Sequence, residues 1–359
     1  MPIFSGQLRS NEIFSALYNM IISQEVFADN LGAHQTLVDK ARVDGGLYGD
    51  TKLYYSTDVL KSVPWGDDAE AANLLALHRP EAPECQAIHL DIFRQICLTV
   101  DNYLSKRAWA TEGAFSSFNS IMLGWMKETK RVYDGTLYNV FIGTTKATGA
   151  GQTVSVDLSG ATSLTGVEKE QMEAMLIAQK LADLMVAMGD YSRDFNDYGN
   201  LRSYAKDGIK VVWNSKFVNK IRKVDLPTIF HKDGLVEKFE EDILPERYFG
   251  DIQTEGHTSV AGERSMVEKD YTVNTKTTHV FPGDLIPVGA TVLANESYKA
   301  PAKDVICKVL VKLPPYMSAF EVGTSFFNAK SLTENHYLTF GHNTIEYLKN
   351  YPFITVQVK

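Results

Sequence analysis

The stretch EGAFSSFNSIMLGWMKETKRVYDGTLYNVFIGTT, residues 112–145, carries the strongest periodic signal in the chain. Phe115, Phe118, Met122, Trp125, Thr129, Val132, Thr136 and Val140 follow one another at intervals of 3, 4, 3, 4, 3, 4 and 4 residues, which sets them on one stripe of an α-helix. Residues 112–143 amount to 32 positions, a rod of about 48 Å at the α-helical rise. Gly124 and Gly135 lie inside it at about 1 kcal/mol each relative to alanine, so they mark where a bend or break would fall. Most helices stop after about 11 or 12 residues. A rod this long braces something elongated.

Upstream, residues 10–27 put Ile13, Phe14, Leu17, Met20, Ile21 and Ile22 on one side of a second helix, an arm that needs a partner surface. Between Gly45-Gly46 and residue 105 the pattern is harder to close into a core. KLYYSTDVL and QAIHLDIFRQICLTVDNYL both have strand character, the second with Ile88, Leu90, Ile92 and Ile96 mainly at alternate positions. Between them lies a Pro-bearing, acidic segment with Asp67, Asp68 and Glu70. The pattern predicts an extended two-stranded arm with an acidic tip, and such a ribbon is marginal in water unless it lies on another surface.

Downstream, after the Gly/Thr-rich joint TTKATGAGQT, TVSVDL reads as a strand. Thr165-x-x-Glu168 forms a capping-box pattern before a helix with Met172, Leu176, Ile177, Leu181, Leu184, Met185 and Met188, stopped at Gly189. Then comes VVWNSKFVNKIRKVDLPTIF, residues 211–230: a buried strand, Asn214 or Ser215 as N-cap, and a short basic helix. From about residue 245 the chain is mostly strand and turn.

The chain has 359 residues, enough for about two domains, with 44% hydrophobic and 22% charged residues as in an ordinary globular protein. Its formal charge of −8 argues against broad attraction to nucleic acid, which is built from Lys and Arg neutralising phosphates. No secretory signal or membrane span is expected. Three cysteines, Cys85, Cys97 and Cys307, without a CxxC fit reduced thiols buried as small apolar residues.

Catalytic signals are weak. The 143–151 glycines lack the Gly-Lys-Ser/Thr ending of a phosphate loop, and Gly256-HTSVA-Gly262 lacks the spacing of a nucleophile elbow. His78, Cys85, His89 and Cys97 are too widely spread along strands to close round one zinc ion. Asp67, Asp68 and Glu70 lack the alternating ligands of a calcium loop. No enzyme activity, cofactor or metal is expected.

The order of the pieces, together with KDGIKVVWNSKFVNKIRKVDLPTIFHKDGL, residues 206–235, resembles the major capsid proteins of tailed bacteriophages, the Hong Kong 97 fold, in the flavour of small podoviruses. The resemblance implies an α+β fold: an N-terminal arm at 1–41, an extended two-stranded E-loop at 42–106, a spine helix of the peripheral domain at 107–145, the first part of an axial domain at 146–245, and strands completing both domains at 246–359. It implies self-assembly through hexamers and pentamers into an icosahedral shell that encloses double-stranded DNA without reading its sequence. A separate scaffolding protein, a portal, assembly in the bacterial host cytoplasm and a final place in the virion follow from the same likeness. Lys52 and Lys61 lie in the loop that some members cross-link, but no acceptor matches, so no such bond is expected. An encapsulin-like compartment shell and an enzyme or binding protein with a dispersed site are the competing readings. On the capsid reading, Asp67, Asp68 and Glu70 together with Lys216, Lys220 and Lys223 are the candidate assembly contacts.

Overall fold

The computed structural model describes residues 37–46, 50–62, 77, 79–101, 112–144, 152–222, 240–301 and 304–359. The expected helix at 10–27 and the tip residues Asp67, Asp68 and Glu70 lie outside them, as do most of the 143–151 joint and Lys223. The chain divides into two compact units.

The first unit gathers the described parts of Met1–Asp50, His89–Gly135 and Met317–Thr344. Its sheet has four strands in the order Arg42–Asp44, Tyr316–Asn328, Thr333–Asn343 and Leu90–Asp101. The three long strands are antiparallel neighbours, with Thr333 opposite Asn328 on one side and Asp101 on the other. Along Thr333–Asn343, Leu338, Phe340 and His342 are buried, and the helix answers with Met126, Lys130 and Tyr133. The Tyr133 ring stands edge-on to Phe340 at 5.8 Å, and the Lys130 ammonium lies 5.4 Å from the centre of the same ring.

The helix runs unbroken from Glu112 to Ile142, through both glycines. Its buried stripe, however, differs from the expected one. Of that stripe Val140 is buried, Thr129, Val132 and Thr136 are half-buried and Trp125 is 49% exposed, while Met126, Lys130, Tyr133, Asp134 and Tyr138 are buried beside it. Between residues 125 and 138 the inward face is shifted by about one residue and contains two charged positions, which a count of apolar residues passes over.

A second correction concerns the strand-like segment around Ile88 and Leu90. It is two strands: Glu84–Ile88 pairs with Lys52–Ser56 in a separate two-stranded ladder, and Leu90–Asp101 joins the four-stranded sheet. Of the cysteines only Cys307 is buried; Cys85 and Cys97 are exposed on these strands.

The second unit comprises Thr51–Ile88, Thr136–Tyr316 and Ile345–Lys359. Its five-stranded sheet runs Thr153–Val156, Phe353–Val358, Val305–Leu310, Lys210–Asn214, Glu240–Leu244, with parallel pairing at both ends and antiparallel pairing in the middle. Every residue of Val305–Leu310 is buried. The helix Gly166–Gly189 covers the sheet with Ile177, Leu181, Leu184, Met185 and Met188, and Ser215–Arg222 adds Phe217 and Val218 to the same core. Thr165 is the N-cap by its extended backbone, but its side chain makes no cap hydrogen bond, so the expected capping box does not form.

Between Glu240–Leu244 and Val305–Leu310 the chain inserts a small β-rich body. It contains a three-stranded sheet, a hairpin joining Lys269–Val273 to Lys276–Val280, and its own core of Tyr271, Val280, Ile286, Ala290, Val292 and Tyr298. The helix end reaches it closely: a Cβ on Gly143 would stand 2.1 Å from the Tyr248 carbonyl oxygen, so only glycine fits there.

Candidate functional site

The two strands Lys52–Ser56 and Glu84–Ile88 are tied to the second unit by polar side chains at their base. Ser56 is buried; its hydroxyl donates to Asn350 Oδ1 at 2.7 Å and accepts from Asn200 Nδ2 at 2.6 Å. Gln86, also buried, donates to Tyr347 O at 3.1 Å and accepts from the Lys349 amide at 3.0 Å. The apolar residues of this arm are left outside: Leu53, Tyr55, Val59, Leu60 and Leu77 are all more than half exposed, up to 79% for Leu77. The hairpin of Tyr316–Asn328 and Thr333–Asn343 in the first unit likewise exposes Phe326, Phe327 and Leu332. Large apolar side chains left exposed on one arm and one hairpin are candidates for an interaction surface.

Of the predicted contact residues, Lys216 is the one whose side chain is described. Asn214 ends its strand as the helix N-cap, its Oδ1 accepting from the Lys216 amide at 3.1 Å while its Nδ2 donates to Val305 O at 2.9 Å. Lys216 Nζ meets Glu246 Oε1 at 3.2 Å, with both side chains partly exposed. Lys220 lies on the same helix.

The sequence reading passed over two groups of buried charge. In the first unit, Asp134 is fully buried and receives Arg42 at 3.1 Å and Lys130 at 3.2 Å; Lys130 also meets Glu321 at 3.2 Å. Close by, His342 Nδ1 faces the Asn343 carbonyl at 2.9 Å, so that nitrogen carries the proton and Nε2 accepts from Tyr133 Oη at 3.0 Å. Burial holds this imidazole below its ordinary pKa, and so neutral.

In the second unit two lysines are buried without a carboxylate in contact among the described residues. Lys308 Nζ donates to Thr144 O at 2.8 Å and Thr355 Oγ1 at 2.7 Å and sits 3.9 Å from the centre of the Phe353 ring. Burial lowers its pKa to about 7. Lys299 Nζ donates to Val140 O at 2.5 Å and Tyr248 O at 2.7 Å, thereby joining the end of the long helix to the inserted body. Burial and then the like charge of Lys308 hold it well below the ordinary range, against an opposing pull from Asp251. The only sequence signal for either was a lysine inside an otherwise strand-like run.

These features define an α+β chain with a long helix, a sheet of long antiparallel strands and a second mixed-sheet unit, and that is the fold of bacteriophage capsid chains, as the family resemblance implied. The chain is similar to one in the capsid structure of Staphylococcus phage Andhra, with a TM-score of 0.60 and 10% identity over 95% of this chain and 88% of that one. It is similar to the same degree to a chain in the structure of the head fiber and inner core protein gp22 of native bacteriophage P68, with a TM-score of 0.60 and 11% identity over 93% and 87%. No protein-family model and no curated protein matches the sequence. At such low identity the shared feature is the fold. Among the described residues no helix is long and apolar enough to cross a membrane.

Proposed function

We propose that the chain is the major capsid protein of a tailed phage, a structural subunit that assembles through hexamers and pentamers into an icosahedral shell round double-stranded DNA. The observation that carries this reading is the agreement of fold with a phage capsid chain over 95% of the residues. The uncovered apolar arm supports it: Leu53, Tyr55 and Leu60 gain a partner if residues 42–106 lie across a neighbouring copy. Many modest contacts of this kind become a stable assembly through multivalency. On this reading a separate scaffolding protein and a portal take part in assembly, and the finished subunit resides in the virion. Asp67, Asp68 and Glu70 of the arm and Lys216, Lys220 and Lys223 of the basic helix serve as complementary contacts between copies.

Electron microscopy of the expressed chain, alone and with a candidate scaffold, tests the reading. Shells or capsomers are expected; a monomer that stays monomeric with scaffold present would overturn it. Leu60→Asp and Phe326→Asp should lower particle yield sharply while changing subunit stability by less than about 0.5 kcal/mol, since both side chains are exposed.

A further inference from the structure

We propose that the cleft lined by Glu246, Arg247, Phe249, Gly262, Arg264, Lys299 and Ala300 is a binding site for a phosphate group, held by Arg247 and Arg264. The cleft has a volume of about 210 Å³ and is lined by two arginines, Arg247 and Arg264, against one acid, Glu246. In a chain with a net charge of −8 this is a local reversal of sign. Glu246 is already engaged by Lys216 at 3.2 Å. Other acids face the cleft from neighbouring elements: Asp284 acts on Arg264 and Asp251 on Lys299, but among the described residues neither forms an ion pair with them.

The two arginines are anchored but not neutralised. Arg247 donates to Tyr248 Oη at 2.7 Å and lies over the Tyr248 ring at 4.7 Å; Arg264 donates to Gly283 O at 2.9 Å. Each guanidinium has five N–H donors in a fixed fork, so most remain available. Burial and then the like charge of Arg247 hold Arg264 below its ordinary pKa, a repulsion that a bound anion would relieve. Lys299 also lines the cleft, but its Nζ is spent on two carbonyls, Val140 O and Tyr248 O. A planar carboxylate is served fully by one arginine fork. Two arginines lining one cleft suit a tetrahedral group with more oxygens, either free phosphate or the phosphate of a nucleic-acid backbone.

The proposal stands apart from the shell reading, because it is measured on the unassembled subunit. Equilibrium dialysis of radiolabelled inorganic phosphate against the full chain should show saturable uptake of one phosphate per subunit. Arg247→Gln, at an exposed side chain, should weaken binding by about tenfold or more, and Arg247→Gln with Arg264→Gln should abolish it while circular dichroism stays unchanged. If the double variant does not fold, the single variant decides. A short oligonucleotide displaces phosphate if the site takes a backbone phosphate and fails to displace it if only the free ion fits; either result supports the site and names its source. Absence of saturable binding, unchanged binding in a folded variant, or equal displacement by acetate would overturn it.

Discussion

Lys130 and Lys308 are both buried lysines whose ammonium groups lie near a phenylalanine ring, yet the two units treat them in opposite ways. In the first unit Lys130 is matched by Asp134 and Glu321, with Arg42 sharing Asp134. In the second, Lys308 has only a carbonyl, a hydroxyl and the Phe353 ring. Dipoles and a ring face stabilise an ammonium less than an ion does, so desolvation dominates and the proton is lost more easily. One site is an ion network; the other is a lysine that trades charge for burial.

The comparison breaks most severely at Asp134. Asp134→Ala removes the buried carboxylate shared by Lys130 and Arg42, leaving Lys130 with Glu321 and Arg42 with Asp39, and should cost about 3–5 kcal/mol in urea unfolding of the subunit. Lys308→Met sharpens the other side. Below about pH 7 Lys308 is protonated in both states and its burial penalty is full; between about 7 and its ordinary 10.5 the unfolded chain holds a proton that the folded chain lacks. Its contribution to stability therefore rises with pH across that window, by about 1.4 kcal/mol per unit. Lys308→Met should remove that slope and raise stability at neutral pH; an unchanged pH profile would show that the lysine stays charged. Thr355→Val takes away one of the two acceptors and should cost about 1–2 kcal/mol. Lys216→Glu, at a partly exposed ion pair with Glu246, should change stability by no more than about 1 kcal/mol, and its effect should instead be read in particle yield.

The comparison also explains what could be read from the sequence. The long helix, the 153–222 alternation of strand and helix, and the strand-rich remainder rest on local periodicity, and their order was enough to bring a capsid fold into view. The helix face was misjudged because Lys130 and Asp134 look like solvent residues until Arg42 and Glu321, far away in sequence, are brought beside them. The division at His89 was missed for a related reason: alternation continues through Ile88 and Leu90 although their partners are in different ladders. Of the candidate contacts, only the Asn214 cap and the helix bearing Lys216 had a local signature. The cleft of Arg247, Arg264 and Lys299 is built from three separate strands and turns and had none.

The place of Phe353–Val358 in its sheet has a consequence for how the subunit is made. This strand lies between Thr153–Val156 and Val305–Leu310, pairing Thr355 with Thr153 on one side and Lys308 on the other. A nascent chain that has exposed everything up to residue 350 still lacks the second strand of its main sheet, so Cys307 and Val309 are without their partners Val356 and Ile354. Such non-local pairing folds slowly. The subunit's core therefore closes only after translation has passed residue 358, and a prematurely terminated chain would have no complete second unit to contribute to an assembly.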